Sequence, residues 1–380
     1  MKKVMLVFGT RPEAIKMCPL VKELKAYPGI ETRVCVTGQH RQMLHQVLEA
    51  FQVVPDYDLD IMKEHQTLFD VTVNILQKIK AVLEAEKPDL VLVHGDTSTA
   101  FVTGLACFYM QIPVGHVEAG LRTYNIHSPY PEEFNRQAIG ILAQYNFAPT
   151  AMARDNLLRE GKQADTIYVT GNTAIDALKT TVRKDYCFAT EELNHLPYDE
   201  KKIILVTCHR RENYGEPMKQ IMLALRQIAE ENPDVELVYP VHLSPVVREA
   251  VDAYLRGTER VHLIDPLPAD EMHNLMARCY MVMTDSGGLQ EEAPALGKPV
   301  LVLRRETERP EAVAAGTVKL AGVIREEIVA MANELIRDTA AYAAMAHAVN
   351  PYGDGNACRR IADAILWHFG RGEKPGDYQA

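Results

Sequence analysis

The sequence predicts an α/β protein built from two doubly wound, Rossmann-like domains facing a central cleft. Three observations carry this expectation. Short runs rich in Val, Ile and Leu alternate with helical patterns from one end of the chain to the other. The runs lack strict polar alternation, as strands buried on both faces of a parallel sheet do. The series also restarts after Gly171, so the 380 residues hold two βαβ sets rather than one.

In the first set, strands are expected at Val4–Phe8, Arg33–Thr37, Leu90–His94, Val114–Val117, Asn146–Ala148 and Ile167–Val169. Helical stretches such as Ala14–Ala26, Leu68–Glu86 and Ala151–Glu160 separate them. The second set has strands at Ile203–Thr207, Glu236–Pro240, Val261–Ile264, Met281–Thr284 and Val300–Leu303, with helices such as Met218–Glu231, Val246–Leu255 and Asp270–Ala277. Val182–Lys202 is charged and irregular and reads as an excursion between the domains. Ala357–Gly370 reads as a closing helix, and the tail from Arg371 as loosely held. The expected domains are therefore residues 1–171 and 172–360, with a final helix and tail, 361–380, packing back on the first.

The formal net charge of −10 argues against a nucleic-acid binder, which needs a basic footprint. A phosphorylated small ligand is still compatible, because local arginines and helix N-termini can hold one. The apolar run Val4–Phe8 is too short for a signal-peptide core or a membrane span, and no later run is long enough. The seven cysteines are scattered and include no Cys-x-x-Cys pair. Neither a disulfide framework nor a zinc site is expected, and Cys35 reads as a small buried hydrophobe. The expected compartment is the cytoplasm.

Ligands of open parallel sheets bind beyond the carboxyl ends of the strands, so the chemistry is sought there. After the first strand comes Gly9-Thr10-Arg11-Pro12-Glu13. Pro12 suits the first helical position, and Arg11 then either forks onto a phosphate or merely opens a helix. His94-Gly95-Asp96-Thr97 offers Asp96 as a helix cap or as a carboxylate aimed into the cleft. Glu118 falls at the next strand end, and Glu132 at a helix start where its charge suits the dipole. Three converging carboxylates raise one another's pKa, which suits general acid and base work; the bland alternative is three caps or surface charges. In the second half, His209-Arg210-Arg211 suits a diphosphate, whereas His242 alone carries little. Thr284-Asp285-Ser286-Gly287-Gly288 lies at a strand-to-helix junction, able to offer N–H groups to a phosphate, with Glu292 placed for ribose hydroxyls. The segment is neither a dinucleotide fingerprint nor a Walker loop, so no NAD, ATP or other cofactor is expected.

Taken in order, these motifs resemble the non-hydrolysing UDP-N-acetylglucosamine 2-epimerases. Gly38-Gln39-His40, His116-Val117-Glu118-Ala119-Gly120-Leu121-Arg122, Pro131-Glu132-Glu133-Phe134-Asn135-Arg136, His209-Arg210-Arg211-Glu212-Asn213, Asp285-Ser286-Gly287-Gly288-Leu289-Gln290-Glu291-Glu292 and Thr307-Glu308-Arg309-Pro310-Glu311 join the two first-domain segments above as its carriers. The resemblance spans nearly the whole chain and implies a glycosyltransferase-B-type fold, a homodimer, and UDP-N-acetylglucosamine and UDP-N-acetylmannosamine as the ligands. It implies catalytic roles for Asp96, Glu118, Glu132 and His209. It implies substrate and UDP contacts at Arg11, Lys16, His209, Met272, Ser286, Gly287, Gly288, Glu292 and Arg309. It further implies an allosteric UDP-N-acetylglucosamine site at Gln39, His40, Gln42, His65, Arg210 and His242. Two departures stand out: Met272 where many relatives place an aromatic beside uracil, and His65 where relatives with the effector site tend to carry arginine. The rival readings are a retaining glycosyltransferase of the same fold, a hydrolysing epimerase, and a nucleotide-sugar sensor without turnover. Three carboxylates argue against the sensor, since holding a polyanion needs no added negative charge.

Overall fold

The computed structural model describes residues 1–38, 41–63 and 66–380, with the backbone alone at 41–43. The chain divides into two compact units, Met1–Thr180 with Tyr352–Gln379, and Thr181–Pro351.

The first unit holds seven strands: β1 (Lys2–Phe8), β2 (Ile30–Val36), β3 (Tyr57–Asp58), β4 (Leu90–His94), β5 (Val114–Val117), β6 (Tyr145–Ala148) and β7 (Ile167–Val169). Their order is β3-β2-β1-β4-β5-β6-β7, and every pairing is parallel. The second unit holds β8 (Lys202–Thr207), β9 (Val235–Pro240), β10 (Val261–Ile264), β11 (Met281–Thr284), β12 (Val300–Val302) and β13 (Val318–Leu320). These are again all parallel, in the order β10-β9-β8-β11-β12-β13. Both sheets are doubly wound, as a glycosyltransferase-B-type chain requires. In each, the order reverses once, between β1 and β4 in the first and between β8 and β11 in the second. Loops leaving those strands flank the crevice where such sheets bind ligands.

Continuous apolar runs make this possible. Val4 to Phe8 and Leu90 to Val93 are buried on both faces of the first sheet, as are Ile203 to Val206 and Met281 to Met283 in the second.

Four expectations are revised. The strands β3 and β13 were not anticipated; they are two and three residues long, too short for a periodic signal. The division falls after Thr180 rather than at 171, because the helix Thr173–Thr181 belongs to the first unit, and the chain returns to it at Tyr352. Val182–Lys202 is no free excursion. Its backbone is tied to the helix Ala269–Arg278 of its own unit, where Arg183 N–H donates to Asn274 and those of Ala189 and Thr190 to Glu271. The tail is also anchored: Asp377 accepts from the Val169 N–H, and the Tyr378 N–H donates to the Val169 carbonyl at the open edge of β7. The helix Ala357–His368 buries Cys358, Ile361, Ala362 and Ile365 in the core of the first unit.

Candidate active site

In the first unit, the loops after β1 and β4 are bound together by one buried acid. Thr10 caps the helix Arg11–Ala26, and Glu13 closes a capping box. Glu13 Oε2 accepts from the N–H groups of Gly9 (3.0 Å) and Thr10 (2.8 Å), and Oε1 accepts from the Thr97 hydroxyl across the crevice at 2.7 Å. Burial nonetheless raises the Glu13 carboxyl above its usual range. A Cβ at Gly9 would lie 1.9 Å from the Thr37 hydroxyl, so only glycine fits. Arg11 is the first helical residue and Pro12 the second, one place later than the sequence suggested.

Thr97 caps the next helix, Ser98–Tyr109, so Asp96 is not the cap. Its side chain is paired with Arg136 at 2.6 Å, and its carbonyl accepts from Asn135 at 2.8 Å. Both partners lie on the helix Glu132–Leu142, whose first residue is Glu132. Burial raises the Asp96 pKa; Arg136 opposes the shift, while the charges of Glu118 and Glu132 add to it. Of the three carboxylates expected from sequence, Asp96 therefore lies within reach of the charges of the other two. Glu133, next to Glu132, has a different job. It is buried, and burial alone would raise its pKa, but donors from Gln137, Thr123 and Tyr124 and the charge of Arg136 hold it below the usual range. It fixes the loop that leads into the helix.

Glu118 follows β5 with φ at +64°, a left-handed backbone that non-glycine residues rarely hold. Its Oε2 contacts Lys16 Nζ, accepts from Asn172 Nδ2 at 3.1 Å and lies 3.7 Å from His94 Nε2. Burial pushes His94 down to about 4, so its imidazole is neutral at physiological pH. Sequence reading singled out Glu118 and Lys16 but not His94, Asn172 or Arg136. Of these, His94 and Arg136 stand inside the quoted motifs and Asn172 does not.

The second unit braces its own strand-end loops in a similar way. Asp285 is fully buried after β11, and its Oδ2 accepts from the N–H groups of His209 and Arg210, both at 2.7 Å, and from Asn213 at 3.2 Å. This fixes the loop after β8. Asp285 Oδ1 lies 3.6 Å from His209 Nδ1 and has no hydrogen-bond partner. Burial lowers the His209 pKa, and the Asp285 charge opposes that shift. His242 stacks on the His209 ring, with centroids 5.0 Å apart.

Ser286 is the N-cap of the helix Gly287–Ala295, and its hydroxyl makes no cap bond. A Cβ at Gly287 would sit 3.5 Å from Arg309 Nη2 and 4.0 Å from Arg210 Nη2, so two guanidinium groups flank this helix start. Buried Glu291 anchors Arg309, and buried His273 stands 3.6 Å from Glu292, with Thr181 on its other nitrogen at 2.8 Å. N–H groups at a helix start beside two guanidinium groups form an anion site suited to a diphosphate. Met272 is half-buried on the neighbouring helix. Gln39, His40 and His65 lie outside the described residues, as does the side chain of Gln42. Among the described residues, no three His, Cys, Asp or Glu side chains gather as a metal would need.

Comparison with known proteins adds an independent line. The family model described as UDP-N-acetylglucosamine 2-epimerase matches residues 22–366. The chain is 58% identical over 377 residues to UDP-N-acetylglucosamine 2-epimerase of Bacillus subtilis (strain 168), covering 99% of this chain and 98% of that one. A putative UDP-N-acetylglucosamine 2-epimerase from Listeria monocytogenes, 53% identical, overlays at a TM-score of 0.94 across 100% of both chains. The Neisseria meningitidis UDP-GlcNAc 2-epimerase, solved bound to UDP-GlcNAc, is 49% identical with a TM-score of 0.87, covering 96% of this chain and 100% of that one.

Proposed function

The chain belongs to the UDP-N-acetylglucosamine 2-epimerase family, and from that premise we propose how its residues invert carbon 2 of UDP-N-acetylglucosamine, reversibly giving UDP-N-acetylmannosamine. The observation that carries the reading is the placing of Asp96 after β4, Glu118 after β5 and Glu132 at the start of the helix that holds Arg136, the ion-pair partner of Asp96. One carboxylate takes the C2 proton. The electrons of that C–H bond form a C1–C2 double bond as the C1–O bond breaks, and UDP leaves with the oxygen. UDP then adds back to C1 of the 2-acetamidoglucal, and C2 takes a proton on the opposite face. Burial keeps Asp96 easier to protonate than an exposed aspartate, and Arg136 limits that effect, so Asp96 is poised to carry a proton either way.

A C2 proton beside an acetamide is weakly acidic, so departure of UDP must carry much of the barrier. We assign stabilisation of the departing diphosphate to His209, Arg309, Arg11 and the N–H groups of Gly287 and Gly288. Ser286, Glu292 and Met272 hold the rest of UDP, and Lys16 the sugar end. The test is incubation with UDP-N-acetylglucosamine alone in heavy water. Epimerised, C2-deuterated sugar nucleotide is expected. Turnover only with a second sugar would make the chain a transferase, and release of free N-acetylmannosamine would make the reaction hydrolytic.

A homodimer is proposed on one surface. The helices Leu68–Glu86, Ser98–Tyr109 and Glu132–Leu142 pack side by side and expose Phe69, Phe108, Tyr109, Phe134 and Ile141. A cytoplasmic setting accords with seven free thiols. A second, activating UDP-N-acetylglucosamine is proposed at Gln39, His40, Gln42, His65, Arg210 and His242. The buried Arg210 Nε, which has no hydrogen-bond partner, and the stacked His242 support it. UDP-N-acetylmannosamine supplied alone should then react slowly until a trace of UDP-N-acetylglucosamine is added.

A further inference from the structure

The geometry points to Asn172 as the positioning residue for Glu118. This rests on the catalytic role proposed above for that carboxylate. Asn172 lies just beyond β7 and is buried. Its Oδ1 accepts from the Ala174 N–H at 2.9 Å, so the amide can face only one way. The –NH₂ group must then point at Glu118, where it donates to Oε2 at 3.1 Å. The residue cannot drift, because its own N–H donates to the Tyr352 carbonyl at 2.6 Å, where the chain re-enters the first unit.

Glu118 needs such a partner. Its left-handed backbone starts the side chain in an unusual direction, and Lys16 reaches it through a long, flexible stem. Asn172 is short and fixed at both ends. The groups around the carboxylate include Lys16 from the helix Arg11–Ala26, His94 and Asp96 from the end of β4, and His116 from β5. Among them, an amide donor favours the ionised carboxylate without adding charge, and it pins one oxygen. Asn172 sets the direction of the carboxylate and helps keep it ionised.

Two substitutions separate this from a purely local role. Asn172→Asp and Asn172→Ser both retain an oxygen for the Ala174 N–H, so the turn is preserved in each. Neither donates to Glu118 as the amide does, and the aspartate sets a second carboxylate against it. For Asn172→Asp, kcat at neutral pH should fall about tenfold or more, and the acidic limb of its pH profile should move up by about one unit. KM should stay within about twofold; the buried second carboxylate lowers the melting temperature of this variant, whereas Asn172→Ser, which adds no charge, should melt closer to the parent. Asn172→Ser should lower kcat with a smaller shift in the same direction. Parent-like pH profiles in both variants would overturn the proposal, as would a loss of rate that follows melting temperature with the profile unmoved. Glu118→Gln, run in parallel, separates the two readings. Full turnover in that variant would remove Glu118 from the chemistry, whereas an inactive Glu118→Gln beside a parent-like Asn172→Asp would refute only the role of Asn172.

Discussion

Replacing Asp285 with asparagine separates what that side chain does for the fold from what it does for the site. The amide oxygen can keep the three hydrogen bonds from His209, Arg210 and Asn213, but each changes from charge-assisted to neutral, a loss of roughly 1 kcal/mol apiece. The expected destabilisation is about 2–3 kcal/mol, less the desolvation that a neutral amide saves. The effect on His209 is distinct. Its Nδ1 lies 3.6 Å from Asp285 Oδ1. A charge pair near 4 Å is worth about 4 kcal/mol at an effective dielectric of about 20. The ring is about a third exposed, and solvent screening reduces this severalfold. Without Asp285, the already lowered His209 pKa falls further, so less imidazolium is available to meet a diphosphate. The deficit in UDP affinity should appear in the acid range where the parent ring is protonated and the variant's is not, and should close by about pH 8, where both proteins carry a neutral ring. Calorimetry with UDP across that range, with an NMR titration of His209, measures it. An equal deficit at every pH would mean that Asp285 acts only by shaping the loop, and an unmoved His209 titration would refute the electrostatic role outright.

Asp96→Asn should cut turnover by at least about 100-fold yet melt higher than the parent at pH 7–8. The folded protein raises the pKa of Asp96, so its contribution to stability is present at low pH and lost as pH rises through the folded value; a lower melting point at pH 8 would contradict this. Burial pushes His94 down to about 4 and His116 to about 3. Their contribution is therefore complete above the ordinary histidine value of about 6.5 and lost as pH falls toward those numbers. Denaturant titrations at pH 7 and pH 5 should show a drop that shrinks in His116→Asn. Glu292→Ala and Ser286→Ala should each weaken UDP binding by about 1–3 kcal/mol, and unchanged calorimetric affinity would move the nucleotide elsewhere. Dialysis against a chelator should leave turnover intact; loss restored by a divalent ion would reverse that expectation.

The sheets were legible because burial on both faces leaves a continuous apolar run, and β4, β5, β7 and β11 begin and end where the runs do. β3 escaped because it consists only of Tyr57 and Asp58, held by backbone pairing to Cys35 and Val36. The anchoring of the tail depends on Asp377 meeting a strand end about two hundred residues away, and no local pattern encodes that. At the site, Asp96, Glu118 and Glu132 could be picked out because each follows a strand or opens a helix. Their neighbours Glu13 and Glu133 look equally acidic in the sequence, but both are structural, because each is buried and bound to loop N–H groups. Asn172 and Asp285 act through partners distant in sequence, so only folding reveals them.

The brace across each crevice has a consequence for anyone recombining these proteins. In the first unit an acid in the first helical turn after β1 reaches over to Thr97; in the second an acid carried by the β11 loop reaches back to His209 and Arg210. Neither loop of a pair is an independent cassette. A chimera that imports the segment around Glu13 while keeping a residue without a hydroxyl at 97 strands a buried carboxylate oxygen, and one that imports the His209 loop above a non-acidic 285 strands two backbone donors. Crossover points placed between β1 and β4, or between β8 and β11, cut through these bonds. Points that keep each pair of loops in one parental block preserve them, so shuffled libraries should be enriched in folded members when residues 9–97 and 207–285 are inherited together.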